Sequence, residues 1–251
     1  MITTAAPAVD SPKVLNDEEI IVTAARTPIL SRQAGPGVTV ITRKMIAARN
    51  PQYVAELLRD VPGFAVSRSG GVGKQTQLRV RGGESNHVLV MIDGIEANDF
   101  SQDDAFDFAH LQAADIERIE IVRGPQSALW GSDALAGTIN IITRAADQAL
   151  TARGGLEAGS FSTSAGRASV GTRQDSYHAN VALSYVDSAG TNVARRGNED
   201  DGYRNGTANF RFGWQPLDAI SVDLTGRIVE AENERDSDIG LGIPSDTPGE
   251  T

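Results

Sequence analysis

Six carboxylates, Asp187, Glu199, Asp200, Asp201, Asp236 and Asp238, fall in polar stretches between strongly alternating segments. Calcium takes about six to eight hard oxygen ligands in flexible geometry, so loops meeting at one rim would gather these acids into a calcium site; solvated acidic loops are the plainer alternative. The run Ser69-Gly70-Gly71-Val72-Gly73-Lys74-Gln75 looks like a phosphate loop, but no Ser or Thr follows Lys74 and the spacing of such loops fails. It reads as a flexible polar loop. His87, His110 and His178 share no metal-ligand spacing, and no Ser, His and Asp set stands out, so no enzyme activity and no required cofactor are expected. The short apolar stretch Ile20 to Ala24 offers backbone N–H and C=O groups that can add as a strand to a partner's sheet edge. An edge strand of the chain's own fold is the alternative.

These groups need elements to hold them. The chain has 251 residues, a net charge of -10 and no cysteine, which removes nucleic acid as a partner along with disulfides and thiolate metal sites. Its apolar runs, such as Val88 to Ile92 and Ile139 to Ile142, fall far short of the roughly 20 residues a spanning helix needs. Met1 to Asn16 shows no basic, apolar leader, which for an exported protein implies a trimmed or incomplete start.

Three regions differ in pattern. Residues 1–35 are proline-flanked and read as a mobile N-terminal arm. Residues 36–147 alternate strand and helix signals: strands at Val38 to Ile41, Gln77 to Arg81, His87 to Ile92, Ile116 to Val122 and Thr138 to Thr143, and a short helix capped by Thr42. A second helix is expected to start with Asn50 as N-cap and Pro51 at its first position, and a third near Gln126 to Leu129. From about residue 148 to 251 the pattern becomes strict alternation. Tyr177, Ala179, Val181, Leu183 and Tyr185 share one face, as do Ala208, Phe210, Phe212 and Trp214, and then Ile220, Val222, Leu224 and Ile228. Their neighbours are polar. Segments of roughly ten alternating residues with aromatics at the ends, joined by alternating tight turns and long loops, are expected to form a β-barrel facing outer-membrane lipid, with a soluble β-sandwich, whose strands also alternate, as the alternative. About five such strands are expected, too few to close a transmembrane barrel, so the barrel is incomplete in this chain.

Motifs in order along residues 17–147 carry a resemblance. They are Asp17 to Arg26, Val54 to Phe64 with its Val61-Pro62-Gly63 exit, Leu78-Arg79-Val80-Arg81-Gly82, Val88 to Gly94, Ile116 to Pro125, and Trp130-Gly131-Ser132 through Thr143. The set resembles the TonB-dependent outer-membrane receptors, and within them is most similar to the cobalamin receptors. The resemblance implies an α+β plug domain followed by the first strands of an antiparallel transmembrane β-barrel. Residues about 17–26 then look like a TonB box, with Glu19, Ile20, Ile21, Val22, Thr23 and Ala24 binding TonB by strand addition. Two plug loops would rise to the external face and touch the ligand, through Gly71, Val72, Gly73, Lys74 and Gln75 and through Asn98 and Phe100. The implied cargo is cobalamin or a related corrinoid, with a siderophore as the alternative; a soluble plug-derived binding or signalling module is the rival of another class. Arg79, Arg81, Arg118 and Arg123, with Glu117 and Glu120, are expected either to seat the plug on the wall or to stay solvated.

Overall fold

The computed structural model describes residues 20–21, 23, 29–30, 37–191, 200–217, 220–234, 237–238 and 244–245. Near its start, β1 (Ile20–Ile21) pairs antiparallel with β2 (Ile29–Leu30). β3 (Val38–Thr42) then leads into α1 (Arg43–Arg49), where the Thr42 hydroxyl accepts the Met45 N–H as the sequence predicts. Asn50 departs from expectation. It ends α1 in the left-handed region, at φ 44°, instead of opening the next helix. The chain bends at Gln52 and is extended at Tyr53, whose N–H is taken by Glu56 Oε1 (3.1 Å), and only there does α2 (Val54–Leu58) begin. A cap is decided by which backbone donors lack partners, and Asn followed by Pro fits the end of one helix as well as the start of another.

The hairpin β4 (Phe64–Arg68) and β5 (Thr76–Val80) follows, then β6 (Val88–Ile92), β7 (Ile95–Glu96), β8 (Ile116–Arg123), α3 (Ser127–Trp130) and β9 (Gly137–Thr143). Five of these strands form one sheet in the order β3-β8-β9-β6-β7, in which β6 and β9 run parallel and the other pairs antiparallel. Both β6 and β9 are buried along almost their whole length, β6 as an unbroken apolar run, as suits strands covered on both faces. Val88 and Val90 join the main core with Ile119, Ile121, Ile139, Ile141, Leu57 and Leu58, while Leu89 and Met91 pack on the other face against Ala134 and Trp130.

The second sheet is a meander of long strands: β10 (Thr151–Ala158), β11 (Ser164–Arg173), β12 (Tyr177–Ser188), β13 (Tyr203–Leu217) and β14 (Ile220–Asn233), each antiparallel to the next. Beyond it, β15 (Ser237–Asp238) pairs with β16 (Pro244–Ser245). The sheet is unclosed, and its register turns the sequence alternation into rows across the strands. Tyr177, Trp214 and Val222 form one outward row, followed by Ala179, Phe212 and Leu224, then Val181, Phe210 and Gly226, then Leu183, Ala208 and Ile228. Above these lies Tyr185, Gly206 and Glu230, and above that the charged row Asp187, Arg204 and Glu232. From Trp214 to Gly206 the strand advances about 27 Å at ~3.4 Å per residue, or about 20 Å in height at a tilt of ~40°. An apolar band of that height, with Tyr177 and Trp214 at one border and Tyr185 at the other, has the form of a lipid-facing wall. Leu156, 90% exposed, and Ile228, 69% exposed, lie on this face, where water would penalise them and acyl chains would not. The opposite face, with Asn180, Tyr203, Asn205, Thr207 and Asn209, is buried.

Candidate functional site

The inner face of the wall meets the α/β domain along a polar seam. Asp93 stands at its centre, in the turn after β6 with φ 52°, and its carboxylate is 4% exposed. Four donors converge on it: Arg211 Nη1 (3.2 Å) and the Thr143 N–H (2.9 Å) reach Oδ1, while the hydroxyls of Thr143 (2.6 Å) and Thr225 (3.2 Å) reach Oδ2. Two of these come from the domain and two from wall strands β13 and β14. A buried carboxylate is tolerated when its lone pairs are filled in this way, and here the filling requires both parts.

Nearer the long-loop end, Gln112 Nε2 donates to Asn205 Oδ1 (2.7 Å), and Asn205 Nδ2 donates to Tyr203 Oη (2.7 Å) and to the His110 carbonyl (3.2 Å). The His110 ring stacks on Tyr203 at 5.8 Å between centroids, and Tyr53 meets the same ring edge-on at 6.2 Å. Arg227 Nη2 also donates to the His110 carbonyl (3.3 Å). Burial holds the His110 imidazole below its ordinary range, with Asp107 opposing, and burial raises the Tyr53 phenol. Asp115 is pushed up to about 7 by burial, in spite of the pull of Arg144. It faces a cavity of about 260 Å³ between α1 and the wall, lined also by Asn50, Arg144, Arg153, Arg167 and Ser184. That volume is below the roughly 300 Å³ at which drug-sized ligand pockets begin, and its polar lining suits water.

Among the described residues, three of the arginines expected to seat the domain, Arg79, Arg118 and Arg123, make bonds within it. Arg79 pairs with Glu84, Arg118 with Glu120, and Glu117 with Arg43, while Arg123 donates to the carbonyls of Pro62 and Gly37 and to the Thr39 hydroxyl. These charges brace the domain internally. Bonds from the domain to the wall are made by Asp93, His110 and Gln112, among others, with wall partners about a hundred residues away along the chain.

Of the loop residues expected to meet a ligand, those between β4 and β5 are tied to the wall. The Gly73 carbonyl accepts Asn233 Nδ2 (3.1 Å), and Lys74 Nζ pairs with Asp201 Oδ1 (3.4 Å) and donates to the Glu234 carbonyl. Gly71 and Val72 are partly covered and Gln75 is exposed. Asn98 uses its whole amide within the domain: Oδ1 accepts the Val90 N–H (2.8 Å), and Nδ2 donates to the carbonyls of Val88 (3.1 Å) and Asp104 (2.7 Å). Phe100, 89% exposed, is the presented residue of that second loop.

The acids grouped as calcium ligands are not gathered among the described residues. Asp187 lies on the outward face beside Arg204 (3.5 Å), Asp201 turns inward to Lys74, and Asp238 lies in β15; Glu199 and Asp236 are outside the described residues, which also leave Asp200 without a converging group of three acids. Each carboxylate close to a basic side chain has a cheaper counterion than a shared cation.

In the arm, Ile20 and Ile21 lie in β1, and Glu19, Val22 and Ala24 fall outside the described residues. Thr23 is buried, which corrects the expectation of a mobile arm at that position. Its N–H and hydroxyl both donate to Glu120 Oε2 (3.0 and 2.6 Å), and its carbonyl accepts Trp130 Nε1 (2.9 Å). A carboxylate as deeply buried as Glu120 needs donors, and Thr23 supplies two.

Comparison with known proteins places this arrangement. Residues 31–138 match the family described as TonB-dependent Receptor Plug Domain. The chain is 32% identical over 231 residues, 90% of its length, to the Vitamin B12 transporter BtuB of Photobacterium profundum, and 36% identical over 148 residues, 59% of its length, to that of Vibrio vulnificus. It spans 37% and 24% of those two relatives. Among solved structures, the siderophore receptor PirA of Acinetobacter baumannii superposes at a TM-score of 0.67 with 23% identity, covering 85% of this chain and 34% of that one. The ferripyoverdine receptor of the outer membrane of Pseudomonas aeruginosa gives 0.73 with 17% identity, covering 91% and 30%. At such identities these structures speak for the fold alone, a domain seated on an antiparallel wall.

Proposed function

Since residues 31–138 make this chain a member of the TonB-dependent receptor plug family, we propose that it is the plug and adjoining wall of an outer-membrane receptor that takes up cobalamin or a related corrinoid. One observation carries the substrate class: the 32% identity to a vitamin B12 transporter runs over 231 residues and so extends past the plug into the wall strands. The siderophore alternative has only fold-level support from the solved structures. The soluble-module reading sits poorly with a wall whose outward rows are apolar over about 20 Å and bordered by aromatic side chains.

The chemistry of uptake then divides among the parts. Outward rows meet lipid, the polar seam holds the plug across the lumen, and the exposed Phe100 and Gln75 face the cargo. Energy enters through the segment 19–24, which adds as a strand to TonB, the inner-membrane partner in this reading. The test is genetic: the intact gene is deleted and growth is measured separately on limiting corrinoid and on limiting iron. Loss of growth on corrinoid alone supports the reading. A defect confined to limiting iron overturns the corrinoid and favours the siderophore.

A further inference from the structure

The loop between β4 and β5 presents an arrangement that neither plug nor wall needs for its own fold. Lys74 extends from the plug into the outer end of the wall, where its ammonium meets Asp201 Oδ1 at 3.4 Å and the Glu234 carbonyl. Both charged side chains are largely sequestered, 13% exposed for Lys74 and 5% for Asp201. Around this pair Asn233 Nδ2 donates to the Gly73 carbonyl (3.1 Å), and Glu234 Oε2 accepts the Gly202 N–H (2.9 Å). The Tyr203 ring lies so close over Gly73 that a Cβ there would fall 2.0 Å from its Cδ2. Three segments, 73–74, 201–203 and 233–234, are thereby bound at one point.

A carboxylate this buried needs donors or a cation, and an ammonium supplies both. An acidic rim can obtain a cation from solution, as a divalent ion would supply, or from the protein itself. We propose that Lys74 is the resident cation of this rim: a positioning residue that fastens the cargo-facing plug loop 69–75 to the outer ends of β13 and β14, so that the loop is ordered before cargo arrives and without any bound divalent ion. This rests on the reading of loop 69–75 as cargo-facing. Fastening matters because a loop found in its binding-competent form for only a fraction of the time weakens apparent affinity by that fraction.

The test uses the full-length receptor in detergent, with the variants Lys74→Gln, Lys74→Arg and the charge swap Lys74→Asp/Asp201→Lys. This chain contains no cysteine; with any cysteine elsewhere in the full-length receptor replaced by serine, Gln75→Cys gives a single spin-label position beside the latch. In the parent background the label is expected to be immobilised with or without EDTA. It should become mobile in Lys74→Gln, and be immobilised again in Lys74→Arg and in the swap. Unlabelled Lys74→Gln should bind cyanocobalamin roughly 10-fold more weakly, as a loop ordered about a tenth of the time would, while Lys74→Arg restores most of the affinity. A label that stays immobile in Lys74→Gln overturns the proposal, as does one that EDTA mobilises in the parent background. If the parent receptor fails to bind cyanocobalamin, the corrinoid reading falls, and the label spectra still decide whether Lys74 is the latch.

Discussion

Asp93 and Arg211 offer the sharpest test of how the plug is held. Asp93→Asn keeps the size of the side chain and tolerates the left-handed backbone at φ 52°, since Asn is among the few residues that adopt it readily. The amide can still accept, through Oδ1, from the Thr143 N–H and from Arg211. It can no longer accept two hydroxyls at the other position, and it no longer carries the charge that balances Arg211, a guanidinium only 26% exposed. Breaking a buried pair by removing one partner costs about 3–5 kcal/mol, and the partial exposure of Arg211 together with its bond to the Thr143 carbonyl (3.1 Å) lowers the expectation to about 2–3 kcal/mol. Arg211→Met leaves the carboxylate with its three Thr donors and should cost about 2 kcal/mol. Together the two changes remove both charges, so the double variant should lose only about 2–3 kcal/mol, a coupling near 2 kcal/mol where independent sites would add. Reversible urea unfolding of the receptor in micelles, followed by plug fluorescence, measures all four species. Additivity within about 0.5 kcal/mol would show that the pair does not join plug to wall, and the account of the seam would fail.

Asp115 gives a pH signature. Its folded pKa of about 7 lies above the ordinary carboxylate value, so the native state binds the extra proton, and its contribution to stability is present in acid and lost as pH rises from about 4 through 7. Asp115→Asn should therefore raise the urea midpoint at pH 8 and change it little at pH 4.5; an equal shift at both would refute the assignment. Gly73→Ala places a methyl under the Tyr203 ring at a backbone φ of 80°, and should cost about 1–3 kcal/mol in the same unfolding assay, which Tyr203→Ala should partly relieve. Val22→Pro removes a backbone donor from the TonB segment, so cargo binding to intact cells should stay near normal while energised accumulation collapses. Transport at the parent rate would show that the segment is not the coupling strand.

The wall was legible because its signal is local. A period of two over about ten residues fixes which side chains share a face, and Phe210, Phe212 and Trp214 fall outward as the pattern requires. The central strands of the plug were legible for the same reason. β4 was missed because Phe64-Ala-Val-Ser-Arg is short and only half buried, with pairing to β5 supplying what its own pattern lacks. The seam was illegible in another way. Asn205 and Arg211 announce that the inner face is polar, but nothing near them names Gln112 or Asp93, whose partnership depends on how two sheets meet. The charged residues that did stand out, Arg79 and Arg118 among them, stood out because their partners are close in sequence, and for that reason they brace one domain and do not join two. Lys74 reads as a ligand contact only through the resemblance, which sends loop 69–75 to the external face, whereas its counterion Asp201 lies at the far end of the long loop after β12, out of reach of any local pattern.

The placement of the tryptophans has a spectroscopic consequence. The chain contains two, and the fold assigns one to each part. Trp214 sits at the border of the apolar band, 47% exposed on the outward face, where brominated acyl chains would quench its emission. Trp130 lies in the plug with its indole N–H on the Thr23 carbonyl, shielded from such lipids. Of these two, only Trp130 should survive a saturating lipid quencher, so with tryptophans outside this chain replaced by phenylalanine a red shift in the residual emission would register Thr23 leaving Glu120. Trp130 is thereby an intrinsic optical readout for the docking of Thr23, with no extrinsic dye attached.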